Sequence, residues 1–116
     1  MANVFKLKTK SGVNGAALTS VYTVPANTTT VIIGLTIANI KGASITGDIQ
    51  IVTASSSGEN ADNVYLVKDV PLPAGSALEI MSGNKIILNA GDIVKASGSN
   101  SSGNDADIIL SIMEIT

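Results

Sequence analysis

From Tyr22 to Ile40 the chain reads YTVPANTTTVIIGLTIANI, a turn that runs into a long stretch without a single charge. Pro25 presets its own φ and Asn27 tolerates unusual dihedrals, so Pro25-Ala26-Asn27 turns the backbone into the residues that follow. From Thr29 to Asn39 the side chains alternate with the period of a strand and not of a helix. Val31, Ile33, Leu35 and Ile37 share one face, while Ile32 and Thr36 share the other with Gly34 between them. The first set is expected in the core. In that register Ile33→Asp buries an unpaired charge and is expected to cost several kcal/mol, whereas Thr36→Asp is tolerated.

The rest of the chain repeats this grammar in shorter words. Val4 to Lys8 alternate, with Phe5 and Leu7 on one face and Lys6 and Lys8 on the other. Further strands are expected at Leu18–Val24, Ile45–Thr53, Val64–Val67, Ala77–Met81, Lys85–Leu88, Ile93–Ala96 and Asp107–Ile115. Ile45, Ile49 and Ile51 flank a polar Asp48-Gln50 face, and the last strand sets Ile108, Leu110, Ile112 and Glu114 on one side. The fifth strand is expected to stop at Pro71-Leu72-Pro73, because neither proline can donate to a ladder. Residues 55–62 and 98–105 are polar and read as surface loops. Turn signals every 8 to 12 residues or so, with Thr, Val, Ile and Ser where helix formers would stand, predict an all-β chain. The expected architecture is one antiparallel β-sandwich domain over residues 1–116, jelly-roll-like, with about nine strands in two packed sheets.

At 116 residues a domain buries roughly two-thirds of its unfolded surface, enough for a core without metal or disulfides. There is no cysteine, so no thiol chemistry and no disulfide framework. The apolar fraction is 45% and mean hydropathy is +0.39, yet the run Val31 to Leu35 falls far short of the roughly 20 residues of a membrane helix. MANVFKLKTK lacks the apolar core and cleavage site of a secretory signal, so the chain is expected to be made and kept in a cytoplasm at first. Charged residues are only 14% of the chain, net charge is −2, and residues 11–40 carry no charge. Such a composition is thin for a lone soluble monomer and points to apolar surface kept for another subunit, hence a homo-oligomer.

The residues missing from the chain exclude whole classes of chemistry. Without His, Cys, Trp or Arg, no Ser-His-Asp or Cys-His system and no zinc site of those ligands can be built. A carboxylate pair could still hydrolyse a glycoside, but Asp48, Glu59, Asp62, Asp69, Glu79, Asp92, Asp105, Asp107 and Glu114 mostly fall in turns or on expected solvent faces and are read as solvated or turn-forming. Glu59-Asp62 and Asp105-Asp107 could converge on calcium, but neither has the spacing of a calcium loop. No metal and no cofactor is expected. Asn89-Ala90-Gly91-Asp92 and Pro73-Ala74-Gly75 lack a phosphate-cradling pattern and read as hairpin turns. Seven scattered lysines, with Phe5, Tyr22 and Tyr65 the only aromatics, make no stacking platform, so nucleic acid is not an expected partner, and with no apolar run of spanning length neither is a membrane.

MANVFKLKTKSGV, VYTVPANTTTVIIGLTIAN, VYLVKDVPLPAGSALEIMSGNKIILNAGDIVKA and ILSIMEIT resemble small virion structural proteins of tailed bacteriophages, especially contractile-tailed phages of marine cyanobacteria. The resemblance implies a β-sandwich that assembles on the particle, with no catalytic residues to carry over. It implies a capsid decoration protein that binds the major capsid protein or other virion proteins, with a trimer as the preferred oligomer. A neck or tail component is the nearest alternative. A host-glycan-binding module acting through the 55–62 or 98–105 loop, and a carboxylate-based hydrolase, are the readings from other classes.

Overall fold

The computed structural model describes residues 2–53, 63–81, 83–100 and 103–116, which contain no helix. Their strands are β1 (Asn3–Val13), β2 (Thr19–Thr23), β3 (Thr29–Asn39), β4 (Ile45–Val52), β5 (Asn63–Leu72), β6 (Ala77–Glu79), β7 (Ile86–Leu88), β8 (Ile93–Ser97) and β9 (Ala106–Ile115). One sheet runs β1-β9-β3-β6, with β7 beside β6 on the same edge of β3, and the other runs β2-β8-β4-β5. Every pairing is antiparallel. Taking β6 and β7 as two pieces of one interrupted strand, this is the strand order of a jelly roll, in which most connections cross from one sheet to the other.

The core lies between the sheets. Ile32, Leu35, Ile37, Ile108, Leu110 and Ile112 line it from the first sheet, and Tyr22, Ile49, Ile51, Val94 and Ala96 face them from the second. The approach is close at Gly47, where an added Cβ would stand 2.7 Å from Ile37 Cδ1 and 3.2 Å from Leu72 Cδ1. Only glycine lets β4 pass there without displacing two core side chains.

The expected inward set on β3 is corrected by a β-bulge. Ile32 pairs Ile112 and the next partners are Gly34 and Ser111, so Ile33 is an extra residue with no partner on β9. An extra residue reverses the parity of everything after it. Thr30 and Ile32 therefore point inward before the bulge, and Leu35, Ile37 and Asn39 after it. Val31 is only half-buried and Ile33 is 39% exposed. Two of the four expected core residues are thus on the outer face, and Ile32, assigned to the other face by strict alternation, is fully buried.

Other boundaries differ for identifiable reasons. β1 extends beyond Lys8 to Val13, its register with β9 shifting between Lys10 and Val13 around Gly12 at φ +68°. β5 continues through Pro71 to Leu72 instead of stopping, since it is an edge strand and proline is tolerated there. The 55–62 loop lies outside the described residues. The 98–105 loop, where described, is held by backbone bonds from Gly98 N–H to Asn14 O and from Gly15 N–H to Asn100 O.

Ile32→Ala is expected to lower stability by about 2–5 kcal/mol, as for a fully buried aliphatic side chain, and Ile33→Ala by under about 1 kcal/mol. Urea denaturation of the two variants checks this. Equal costs at both positions would place the bulge elsewhere.

Candidate assembly surface

The carboxylates are consumed by the architecture. Asp105 is fully buried, where its Oδ2 accepts from the N–H groups of Ser99 and Asn100 at 2.9 and 2.7 Å. Its Oδ1 accepts from Asn100 Nδ2 at 3.0 Å and meets Lys41 Nζ at 3.2 Å. Burial pushes the Asp105 carboxyl up, but these donors outweigh it and hold the group below its ordinary value. Gly98 is required beside it, because a Cβ there would sit 2.5 Å from Asp105 Oδ2. Asp105 is thus a loop anchor and not a free calcium ligand. Glu59 and Asp62 lie outside the described residues, and among the described ones no three His, Cys, Asp or Glu side chains gather as a metal site.

Glu79 closes the break in β3's edge. Its Oε1 accepts from Leu35 N–H at 3.1 Å and Met81 N–H at 3.0 Å, and its Oε2 accepts from the Thr36 hydroxyl at 2.9 Å. Burial raises its pKa, yet those three donors bring it below the usual carboxylate range. Asp48 and Asp69 come together about Lys68. Asp48 accepts from Asp69 N–H at 2.6 Å and from Ser97 Oγ at 2.9 Å, and lies 3.7 Å from Lys68 Nζ. Asp92 accepts from Asn89 N–H at 2.9 Å in its turn, and Asp107 accepts from Gly12 N–H at 3.0 Å at the β1 irregularity. Beside that irregularity is an open depression of about 480 Å³ lined by Thr9, Lys10, Ser11, Asp107, Ile108 and Ile109.

Glu114 also departs from the expectation of a solvated acid. It projects inward from β9, only 5% exposed. Lys6 Nζ lies 2.7 Å from its Oε1, and the Tyr22 hydroxyl donates to its Oε2. With that proton committed, the Thr30 hydroxyl at 2.8 Å donates to the Tyr22 oxygen. The hydrogen bonds from Lys6 and Tyr22 hold Glu114 below its ordinary pKa. Burial first, then the Glu114 carboxylate, pushes Tyr22 up to about 12. Lys8 Nζ stands 5.9 Å from the Tyr22 ring centre. One cluster therefore joins β1, β9, β3 and β2 across the sandwich.

These contacts turn β1 inside out. Lys6, Lys8 and Lys10 pair Ile112, Leu110 and Ile108, whose side chains face the core, so the lysines lie on the inner side at the sheet margin with Lys6 and Lys8 engaged there. Phe5 and Leu7 consequently project from the opposite, outer face, 73% and 63% exposed. Phe5 is in register with Met113, Met113 with Val31, and Val31 with Ile87, making an apolar row across four strands. Leu7, Ile33 and Ile109 extend it along the strands. Within this block the outward positions of β1, β9, β3 and β7 carry no charge, and Glu79 stands at its corner on β6. The alternation of Phe5 and Leu7 with lysines was legible in the sequence. That the lysines take the inner side was not.

Neither a protein-family model nor a curated relative matches the sequence. Among solved structures the chain is similar to a protein of Bacillus endospore appendages, which form a family of disulfide-linked pili: TM-score 0.53, 11% identity, 96% of this chain and 86% of that one. It also overlaps the infectious bursal disease virus VP2 subviral particle, with TM-score 0.42, 6% identity, and coverage of 97% of this chain and 36% of that one. The Gt strain of the same virus gives TM-score 0.39 and 7% identity, over 97% of this chain and 32% of that one. This chain thus spans about a third of the viral chains. The first likeness is one of fold alone, and with no cysteine this chain has no disulfide with which to link copies.

The pH dependence of stability follows from the signs. Glu114, Asp105 and Glu79 have folded pKa values below their ordinary ones, so their contribution is complete above the unfolded carboxylate range and lost as pH falls below about 4. Tyr22 is raised from 10.0 to about 12, so its contribution is complete below the unfolded value and lost as pH rises towards 12. Urea midpoints measured from acid to alkali are expected to show both declines. Asp105→Asn should make the acid arm alone shallower, while Tyr22→Phe should remove the alkaline arm and, by taking a donor from Glu114, make the acid arm shallower as well. An acid arm unchanged in Asp105→Asn would refute its assignment.

Proposed function

We propose that the chain is a non-enzymatic structural subunit of a virion, a decoration protein seated on the capsid exterior of a tailed phage of the contractile, cyanobacterial-virus type. The observation that carries the structural part of this reading is the inversion of β1. A lone soluble protein gains by packing Phe5 and Leu7 inward; this chain turns both to the outer face, and holds the arrangement with the Lys6–Glu114 ion pair at the sheet margin. An uncharged outer face spanning four strands is costly in isolation and useful when another surface covers it.

The acids support the same conclusion from the other side. Asp105, Glu79, Glu114 and Asp48 are each held by neighbours whose removal would disturb a loop, a bulge, a sheet margin or an edge. A general acid needs a free proton and an open approach to substrate, whereas Asp105, Glu79 and Glu114 are held below their ordinary pKa by the donors around them. The virion, the capsid exterior and the phage type come from the resemblance of the VYTVPA and VPLPAGSALEIMSGNKIILNAGD segments, and the fold agrees with a shell-building role. Many weak contacts repeated over a symmetric shell would add through avidity, with no catalytic or strongly charged anchor.

The test is to make particles lacking this protein and compare them with complete ones. Cryo-electron microscopy is expected to show density for it in many copies on the shell, and the deficient particles should lose DNA at lower temperature. Equal robustness together with density at the neck or tail would replace decoration with the tail reading. Absence from purified particles would end the virion reading.

A further inference from the structure

We infer that the outer face of the β1-β9-β3-β7 sheet is covered by the same face of a second copy of this chain, packed sheet on sheet about a two-fold axis. The inference rests on the reading of the chain as an assembly subunit and names the partner of that surface.

The sheet edges are closed to strand addition. β5 carries Pro71 and a bulge at Asp69, where φ is +53°. β2 has five residues and an irregular register, and β6 and β7 are separate three-residue pieces. β1 is long and regular from Asn3 to Lys10, but it bears Lys6, Lys8 and Lys10 on one side. Pairing β1 antiparallel with its own copy would set these lysines against each other, and like charges opposed across a ladder repel. Lysine, proline, bulges and short strands are the devices by which sheet edges resist pairing. Association is thereby directed to the face.

The face is also chemically matched to itself. The Phe5, Met113, Val31 and Ile87 row and its neighbours Leu7 and Ile109 present no charge, so two copies of the face meet without repulsion and without stranding a buried ion. A charged face could not be self-complementary in this way. Four strands at about 4.8 Å spacing and six rises of about 3.4 Å give a flat area of about 400 Å² per copy, or about 800 Å² for a pair before side-chain relief is added. That lies below the about 1,200 Å² at which stable specific interfaces begin, and suits a weak dimer that a larger assembly reinforces. A flat face meeting itself generates a two-fold axis and is isologous. The unit in solution is therefore a dimer, in place of the trimer that the resemblance implies.

Sedimentation equilibrium of the full chain should show a monomer–dimer equilibrium. Phe5→Lys and Ile87→Lys, at opposite ends of the row, should each weaken it at least about tenfold, as expected when a charge is forced into an apolar contact, with melting temperatures unchanged. Val64→Lys, at an exposed position on β5 in the other sheet, should leave it intact. Because the chain has no cysteine, a spin label on Ser111→Cys reports a single site, and a short distance between copies is expected. A dimer that survives both folded face variants overturns the inference. So does a protein that stays monomeric at high concentration: if Phe5→Lys then abolishes its binding to particles, the shell is the occupant and the assembly reading stands. If the monomeric protein is also absent from particles, both readings fall.

Discussion

The fold depends on the extra residue at Ile33. β3 is the central strand of its sheet, pairing β9 on one side and β6 and β7 on the other, and an eleven-residue strand with strict alternation would commit one unbroken set of side chains to the core. The bulge divides β3 into two halves of opposite parity, so Thr30 and Ile32 enter the core from one half and Leu35 and Ile37 from the other. It also leaves Leu35's backbone opposite a gap between β6 and β7. Glu79 fills that gap with a carboxylate that accepts from Leu35 N–H, while Leu35 O accepts from Ile80 N–H. Hydrogen bonds to a charged acceptor contribute roughly 1.5–3 kcal/mol each, enough to hold an interrupted ladder that neutral loop contacts would leave frayed.

The same economy governs the other acids. A chain with so few charges places several of them where burial penalises them, which is tolerable only because donors converge on each. Asp105 ties the 98–105 segment to Lys41, and Glu114 ties β1 to β9 and to Tyr22 across the sandwich. Removing the lysine from either pair leaves a buried carboxylate short of one donor, at a cost that the 43% and 29% exposure of Lys6 and Lys41 keeps below that of a wholly buried pair. The carboxylates therefore act as joints between elements distant in sequence.

Glu114 has a consequence at the surface. By drawing Lys6 to the inner side of β1 it sends Phe5 and Leu7 outward, and these complete an apolar row begun by Met113, Val31 and Ile87. The bulge contributes too, since the parity change places Ile33 at 39% exposure on that surface instead of in the core. Two internal features, a buried acid and a one-residue irregularity, together shape the face on which the assembly reading stands.

Alternation, read together with the turn residues, located the described strands though not the ends of β1 and β5, because a period of two is a local property of neighbouring residues. Turn residues such as Pro25, Asn27 and Gly91 likewise marked the breaks between strands from short-range chemistry. The absence of His and Cys settled at once which nucleophile systems could not be built. The parity reversal on β3 was hidden, because a bulge exists only relative to the partner strand, and Ile33 becomes supernumerary only when Ile32 and Gly34 pair with Ile112 and Ser111. The lysine side of β1 was hidden for the same reason: Lys6 and Glu114 meet only once the first and last strands lie side by side. Sequence determined the period of each strand; tertiary structure decided which of its two faces met the core, because that choice is made by residues tens of positions away.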